Sequence, residues 1–265
     1  MWKKRIGWIY VTLIMVFLYA PILVLMAMSF NASKYNALPF QFSTRWYKEM
    51  AGNETLIRAS LSSVYIAAAT GFICVVLATM LMLWAAQTRS KLKGWIDSLV
   101  VLPLTIPWLI IGLSILLLLS ALGIDRNYAV LLIGHVVVSL PYAVLVIKAR
   151  MQSIDLSITE ASASLGANEW TTAFRITLPL LFPAMLAGGV LAFVISFDNF
   201  ILSYFLIPSG ASTLPIEIYA SIKFGFTPEI NAVSTVLLAA TTFLIAIVFA
   251  TMRTSLKFFY RLSES

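Results

Sequence analysis

Six apolar stretches, each long enough to cross a lipid bilayer as a helix, run through this 265-residue chain. A transmembrane helix needs about 20 consecutive, mostly apolar residues. By that criterion the sequence predicts spans at residues 8–30, 60–86, 97–120, 129–147, 180–207 and 231–252. None of the stretches shows the alternating pattern of a membrane β-strand. We therefore predict an all-α, polytopic membrane protein with six transmembrane helices, in which residues 1–265 form a single transmembrane domain.

The composition supports a membrane protein and argues against nucleic-acid binding. Hydrophobic residues make up 61% of the chain and charged residues only 11%, whereas soluble domains carry about 25% charged residues. The net charge is +7, but the basic residues lie mainly in short connectors. They are not interleaved with aromatic residues as in single-stranded nucleic-acid-binding grooves. We expect this charge to meet the headgroups of membrane lipid instead.

The connectors also predict an orientation, because Lys and Arg concentrate on the cytoplasmic side of membrane proteins. Placing the N-terminus inside puts 12 of the 18 basic residues on that side. They are Lys3, Lys4, Arg5, Arg89, Lys91, Lys93, Lys148, Arg150, Arg175, Arg253, Lys257 and Arg261. We therefore expect both termini to be cytoplasmic. The loop at 31–58 is then external and the loop at 148–178 internal.

Catalytic and metal-binding patterns are lacking in the sequence. The chain has one cysteine, Cys74, and one histidine, His135, too few for a disulfide or for a structural zinc site. No G-x-x-x-x-G-K-[ST] phosphate loop occurs. We expect no metal and no cofactor in this chain, and no enzyme activity of its own. We interpret His135 as a hydrogen-bonded helical residue in preference to a proton relay.

The internal loop at 148–178 carries several helix-boundary signals. Ser157 and Glu160 have the spacing of a capping box, and Gly166 is placed to end that helix. Asn168 can cap a second short helix that runs from Glu169 to about Arg175. The sequence thus predicts two short helices joined at a glycine. From these signals alone, a surface that docks into another protein and a merely solvated loop both stay open.

The same loop resembles the EAA loop of bacterial ABC importer permeases, with every interval of that pattern matched. The matching residues are Glu160, Ala161, Ser162, Gly166, Ile176, Leu178 and Pro179. The departure is Ser162, where alanine is usual. The resemblance implies a coupling helix that docks into a cleft on a separate ATPase subunit, which would hold the ATP and Mg.

Further segments resemble the second permease of spermidine/putrescine-type importers. They include residues 191–198, Leu-Ala-Phe-Val-Ile-Ser-Phe-Asp, and residues 228–232, Pro-Glu-Ile-Asn-Ala. This resemblance implies the bacterial inner membrane as location. It also implies three partners: a homologous second permease, an ATPase dimer and an external substrate-binding protein. The implied function is transport of a small cationic solute through a pathway of which this chain forms half.

Candidate pathway residues lie in and near the third and fifth spans. A carboxylate at the depth of Asp198 is costly unless it faces a wet cavity or a partner. It either attracts a cationic substrate, with Asn199 and Tyr204 beside it, or pairs with a group in the second permease. Trp108 can stack on a cation or simply pack.

The resemblance has gaps that bear on the substrate. Permeases of the polyamine type commonly carry further acids where this chain has Asn199 and Trp108, so an amino-acid-like or opine-like solute is an alternative. An ion-coupled secondary carrier is a rival from another class. Trp46 and Tyr47, in the external loop, are candidate contacts for the binding protein.

Three backbone features complete the expectations. Pro103 and Pro107 can break the third span, because proline removes a helix hydrogen bond. The pair at 188–189, Gly-Gly, allows close helix packing. Prolines and glycines around residues 216–224 predict a short interfacial helix in the external region.

Overall fold

The structure, a computed structural model, describes residues 2–34, 37–88, 92–224 and 229–263. Arg89 and Lys91 of the predicted cytoplasmic set lie outside these residues. Over the described part the chain is helical, with an isolated β-bridge between Asn31 and Phe42. The predicted all-α class is confirmed.

Apart from the loop between α1 and α2, the helices follow one another with short connections. In chain order they are α1 (Trp2–Met28), α2 (Arg45–Gly52), α3 (Glu54–Gln87), α4 (Leu92–Val101), α5 (Trp108–Leu122), α6 (Tyr128–Gln152), α7 (Leu156–Ser164), α8 (Glu169–Thr172), α9 (Leu178–Phe197), α10 (Phe200–Leu206), α11 (Leu214–Phe224) and α12 (Glu229–Ser263). A 3₁₀ turn at Leu102–Leu104 follows α4, and a π-helical turn at Ala173–Thr177 joins α8 to α9. The predicted short helix at 216–224 corresponds to α11.

Five helical runs of the described residues are long and apolar enough to cross a membrane. They are Arg5–Met28, Glu54–Ala86, Tyr128–Gln152, Glu169–Phe197 and Glu229–Ile247. Gly94–Leu104 and Trp108–Leu122 pass the same test only as a pair, bent by 100°. The predicted span at 97–120 therefore consists of two helices with a sharp bend between them. Pro103 lies in the 3₁₀ turn and Pro107 in extended backbone before α5, so the expected proline break is confirmed.

The fifth predicted span, residues 180–207, is also two helices. α9 ends at Phe197, and α10 begins at Phe200. Between them Asn199 leaves the helical region, with ψ of 88°, and its side chain caps α10 by accepting from Leu202 N–H. This side-chain cap restarts a helix within an apolar run, which hydropathy alone does not reveal.

The described chain forms two compact units. One comprises Met1–Arg58 with Glu217–Leu244, and the other Ala59–Ile216 with Ile245–Ser265. Their boundaries fall within α3, α11 and α12.

The core of the second unit is built from α3, α5, α6, α9 and α10. One cluster joins α3, α6 and α9, and another joins α5, α6 and α10. A Cβ added at Gly71 would lie 2.9 Å from the Gly189 carbonyl oxygen, and one added at Gly188 would lie 3.3 Å from that of Ala143. The predicted packing role of the 188–189 glycines is confirmed, since a Cβ at Gly189 would lie 2.7 Å from Val75 Cγ2 and one at Gly188 would crowd the backbone of α6.

In the first unit, a buried asparagine organises the loop that follows α1. Asn31 Nδ2 donates to the Ala37 carbonyl at 2.9 Å, and its Oδ1 accepts from Gln41 N–H at 3.1 Å. Trp46 Nε1 donates to the Asn31 carbonyl at 2.7 Å and so ties α2 to this loop. By contrast, none of the apolar window of α1 is buried within the chain, so its side chains require lipid or another protein as neighbour.

Candidate functional site

α7 begins two residues earlier than the capping-box pattern predicts. The N-cap is Asp155, whose Oδ1 accepts from Ser157 N–H at 2.9 Å. Ser157 is therefore the second helical residue, and the predicted Ser157–Glu160 capping box was wrong. An aspartate is at least as good an N-cap as serine. Hydrogen bonds from the backbone and side chain of Ser157 hold the pKa of the Asp155 carboxyl below its ordinary value.

The end of α7 is a glycine motif, as the sequence predicts. Gly166 has φ of +84°, the left-handed region that glycine enters without steric cost. Its N–H donates to the Ala163 carbonyl at 2.9 Å, and Ala167 N–H donates to the Ser162 carbonyl at 3.1 Å. These two bonds form a Schellman motif, which satisfies the last carbonyls of the helix and turns the chain into α8.

Asn168 caps α8 as predicted, and Ser162 joins α8 to α7. Asn168 Oδ1 accepts from Thr171 N–H at 2.8 Å. Ser162 is buried, and its hydroxyl lies 2.9 Å from Thr172 Oγ1. The serine that departs from the usual alanine thus supplies a hydrogen bond between the two short helices.

The second short helix was predicted to end near Arg175, but the helical run continues beyond that residue. α8 continues through the π turn, in which Leu178 N–H donates to the Ala173 carbonyl, directly into α9. Ile176 lies in the π turn. Pro179 lies in the first turn of α9, where a backbone N–H would have no carbonyl partner within that helix, so the proline costs α9 no hydrogen bond. The fifth span is therefore a direct extension of the loop.

The loop exposes an unusual amount of apolar surface. Leu165 is 88% exposed, Trp170 73% and Phe174 59%, and the two rings stack at 5.9 Å. Glu160 and Ala161 are exposed on α7. Behind α7, toward the ends of α3 and α6, lies a cavity of about 410 Å³ lined mainly by apolar side chains. The exposed apolar residues of the loop thus lie at the C-terminal end of α7, on α8 and in the π turn.

The candidate pathway residues occupy different environments. Asp198 closes α9 and is exposed, and among the described residues no side chain forms an ion pair or hydrogen bond with its carboxylate. On α10, Tyr204 is 52% exposed and packs against Phe200 with ring centroids 5.4 Å apart. Asn199 is buried and serves as a helix cap, and Trp108 packs against the α5–α6–α10 cluster. Of this set, Asp198 and Tyr204 are exposed.

The two aromatic residues proposed as receptor contacts are tied into the first unit. Trp46 is 4% exposed and hydrogen-bonded as described, so its ring does not offer a surface to another protein. Tyr47 is half-buried; its hydroxyl lies 2.7 Å from Ser29 Oγ and its ring packs on Phe30. Both side chains stabilise the loop.

The single histidine anchors a buried polar chain that sequence reasoning did not assemble. His135 is 1% exposed; its Nδ1 lies 2.8 Å from Ser196 Oγ and its Nε2 3.3 Å from Ser203 Oγ. The expectation of a hydrogen-bonded helical histidine is confirmed. The serines gave no signal of their own, because serine is tolerated in many transmembrane helices.

Comparison with known proteins gives a consistent result. Residues 76–265 match the family described as "Binding-protein-dependent transport system inner membrane component". The chain is 31% identical over 229 residues to the "Spermidine/putrescine transport system permease protein PotC" of Escherichia coli (strain K12), covering 86% of this chain and 87% of that protein. It is 36% identical over 231 residues to the "Putrescine transport system permease protein PotI" of the same organism, covering 84% and 82%.

Two solved structures share the fold. A chain of a bacterial ABC transporter involved in the import of the acidic polysaccharide alginate superposes with a TM-score of 0.74 at 19% identity, covering 96% of this chain and 98% of that one. A chain of the MetNI methionine ABC transporter gives a TM-score of 0.64 at 15% identity, covering 76% and 96%.

Proposed function

Because the chain belongs to the family of binding-protein-dependent transport system inner membrane components, we propose that it forms half of the import pathway for a polyamine-like cation. The observation that carries this proposal is the Asp198 carboxylate, exposed at a break in a transmembrane helix and without a partner among the described residues. The names of the similar permeases, which refer to spermidine and putrescine, support the same substrate class.

A carboxylate at membrane depth is costly for the protein. An ionised aspartate there costs at least about 2.5–3.5 kcal/mol unless water or a counter-charge compensates it. An ammonium group of a passing solute supplies that counter-charge, and the neighbouring Phe200 and Tyr204 rings add cation–π attraction for the same group. The aromatic pair at Phe193 and Phe197, stacked at 5.8 Å, flanks the carboxylate on the α9 side.

The test is uptake of putrescine by the complete importer reconstituted in liposomes, with wild-type chain and the Asp198→Asn variant. We expect Asp198→Asn to raise the KM for putrescine, because the variant keeps the shape of the side chain and removes its charge. Asp125→Asn is the matched control: Asp125 is an exposed carboxylate in the connection between α5 and α6, and its replacement should leave KM unchanged. Unaltered putrescine uptake by Asp198→Asn would refute the proposal that Asp198 attracts the cationic solute.

An amino-acid-like or opine-like solute is the second candidate. It is favoured by the single exposed acid at the break, since the positions where further acids were expected hold the buried Asn199 and the packed Trp108. Competition separates the candidates: a polyamine importer is inhibited by spermidine and not by zwitterionic amino acids. An ion-coupled carrier, the remaining rival, would transport without any ATPase subunit.

We propose further that the surface of α7 and α8 docks on the ATPase subunit that hydrolyses ATP with Mg. Leu165, Trp170 and Phe174 form an exposed apolar surface beside Glu160 and Ala161, and burial of such a surface stabilises a protein interface. This requires the loop, and with it both termini, to be cytoplasmic. The lipid-exposed or partner-exposed face of α1 fits assembly with a homologous second permease, and an external binding protein delivers the solute.

The docking proposal fits the mechanical continuity of the chain. α8, the π turn and α9 form one helical run from the docking surface to the carboxylate at the break. Closure of the ATPase dimer would move α7 and α8, and this run would carry the movement to Asp198. Alternating access requires such a two-state element biased by both sites.

A further inference from the structure

His135 contacts both sides of the break in the fifth span. The residue lies within α6, and its ring nitrogens meet Ser196 on α9 at 2.8 Å and Ser203 on α10 at 3.3 Å. The break at Asp198 and Asn199 lies between these two serines in the chain. One buried side chain therefore bridges the two helices whose junction exposes the pathway carboxylate.

The bridge is part of a longer chain of polar groups. Ser196 Oγ also donates to Thr70 Oγ1 of α3 at 3.3 Å, so four helices of the second unit share the network. In a neutral imidazole one nitrogen donates and the other accepts, and a serine hydroxyl can do either. The ring can thus serve both serines at once. Because unpaired polar groups are costly in an apolar interior, the network favours one relative orientation of α9 and α10.

We propose that His135 is a positioning residue for transport, which fixes the angle between α9 and α10 and thereby the place of the Asp198 carboxylate in the pathway. His135 is buried and acts through Asp198 without touching the solute. The inference rests on the proposed role of Asp198 in cation uptake and deepens it.

The two arms of the bridge can be removed separately. The amide of His135→Asn reaches about as far as Nδ1 and keeps the bond to Ser196, whereas that of His135→Gln reaches about as far as Nε2 and keeps the bond to Ser203. Ser203→Ala removes only the arm to α10. A matched control lies one turn further along α6: the Ser139 hydroxyl is equally buried and has no hydrogen-bond partner among the described residues.

The first measurement is hydrogen exchange at the backbone amides of α10 in the intact, membrane-reconstituted complex. Ser203→Ala and His135→Asn are expected to speed exchange about three- to tenfold, the effect of one ordinary hydrogen bond. His135→Gln and Ser139→Ala should leave it near wild type. Unchanged exchange in Ser203→Ala overturns the bridge, whatever solute the importer carries.

The second measurement is the split between KM and Vmax for putrescine uptake by the same complexes. If His135 positions Asp198, Ser203→Ala and His135→Asn each raise KM about three- to tenfold. When either substitution is combined with Asp198→Asn, KM should equal that of Asp198→Asn alone. A merely structural role lowers only the thermal midpoint, and that outcome overturns the inference. Absence of putrescine uptake by the wild type would refute the proposed substrate, while the exchange experiment would still decide the bridge.

Discussion

Replacing Gly166 by alanine tests whether the shape of the α7–α8 turn serves the contact with the ATPase. Gly166 has φ of +84°, and a Cβ added there meets nothing within 4 Å. The cost of Gly166→Ala is therefore purely the left-handed backbone, about 1–2 kcal/mol for an L-residue. If docking requires this turn, the same free energy is lost from binding, which weakens the affinity of the permease pair for the ATPase about 5- to 30-fold.

The assay is titration of the detergent-solubilised permease pair with the ATPase subunit, read as a dissociation constant. Gly123→Ala is the matched control, because Gly123 ends α5 with φ of +66° and is also open around its Cβ position. It carries the same backbone cost away from the loop, and its affinity should stay at the wild-type value. Gly166→Asn should recover much of the loss, since asparagine tolerates this conformation. Equal affinities for Gly166→Ala and Gly123→Ala would refute the reasoning.

Three further predictions concern the loop and the core. Ser162→Ala leaves the Thr172 hydroxyl without its partner and should lower the free energy of unfolding by about 0.5–1.5 kcal/mol, as seen in chemical denaturation; an unchanged midpoint would contradict it. Gly71→Ala places a Cβ 2.9 Å from the Gly189 carbonyl oxygen, so it should lower the free energy of unfolding by about 1–3 kcal/mol and reduce the yield of assembled complex. An assembly yield equal to wild type would contradict this prediction by showing that these helices can move apart. The hydrogen bonds accepted by Asp155 lower its pKa from 3.8. Its cap therefore stabilises α7 above about pH 4, and this stabilisation is lost as the pH falls through the lowered pKa. Amide exchange in the first turn of α7 should show the loss in the wild type and not in Asp155→Asn.

Much of the fold follows from the sequence because membrane helices obey a simple length rule. Five helical runs agree with apolar stretches, since lipid leaves the backbone no alternative to internal hydrogen bonds. The turn of the predicted cytoplasmic loop was also predictable. Gly166 is the residue type that a left-handed helix end favours, and Asn168 is a preferred N-cap.

The errors share a physical cause, which is competition among local hydrogen-bonding groups within an apolar run. Asp155 competes with Ser157 for the cap of α7, and the outcome depends on geometry that the pattern does not contain. At Asn199 a side-chain cap restarts the helix, although residues 180–207 are together apolar enough to predict one span. The 100° bend between α4 and α5 was anticipated as a break at Pro103 and Pro107, but its size was not.

The sequence singles out individual residues of the candidate site but not their arrangement. Asp198 stood out as an intramembrane acid, and its exposure at a helix break agrees with that prominence. The burial of Trp46 and Asn199 could not be read from their types, because tryptophan and asparagine occur both at surfaces and as internal hydrogen-bonding groups. The partners of His135 lie 61 and 68 residues away in sequence, and helical or strand periodicity carries no information over such separations.

The most direct test of the account is cross-linking of α7 to the ATPase. Ala161 is exposed on α7, and the chain's one native cysteine, Cys74, is buried, so an Ala161→Cys variant presents a single accessible thiol. In inside-out vesicles containing the assembled importer, a short bifunctional reagent should join this thiol to the ATPase subunit. A Phe42→Cys variant in the predicted external loop should not react with it. Labelling of Ala161→Cys only from the external side, or its failure to cross-link in an importer that still hydrolyses ATP in response to solute, would contradict the coupling on which this function depends.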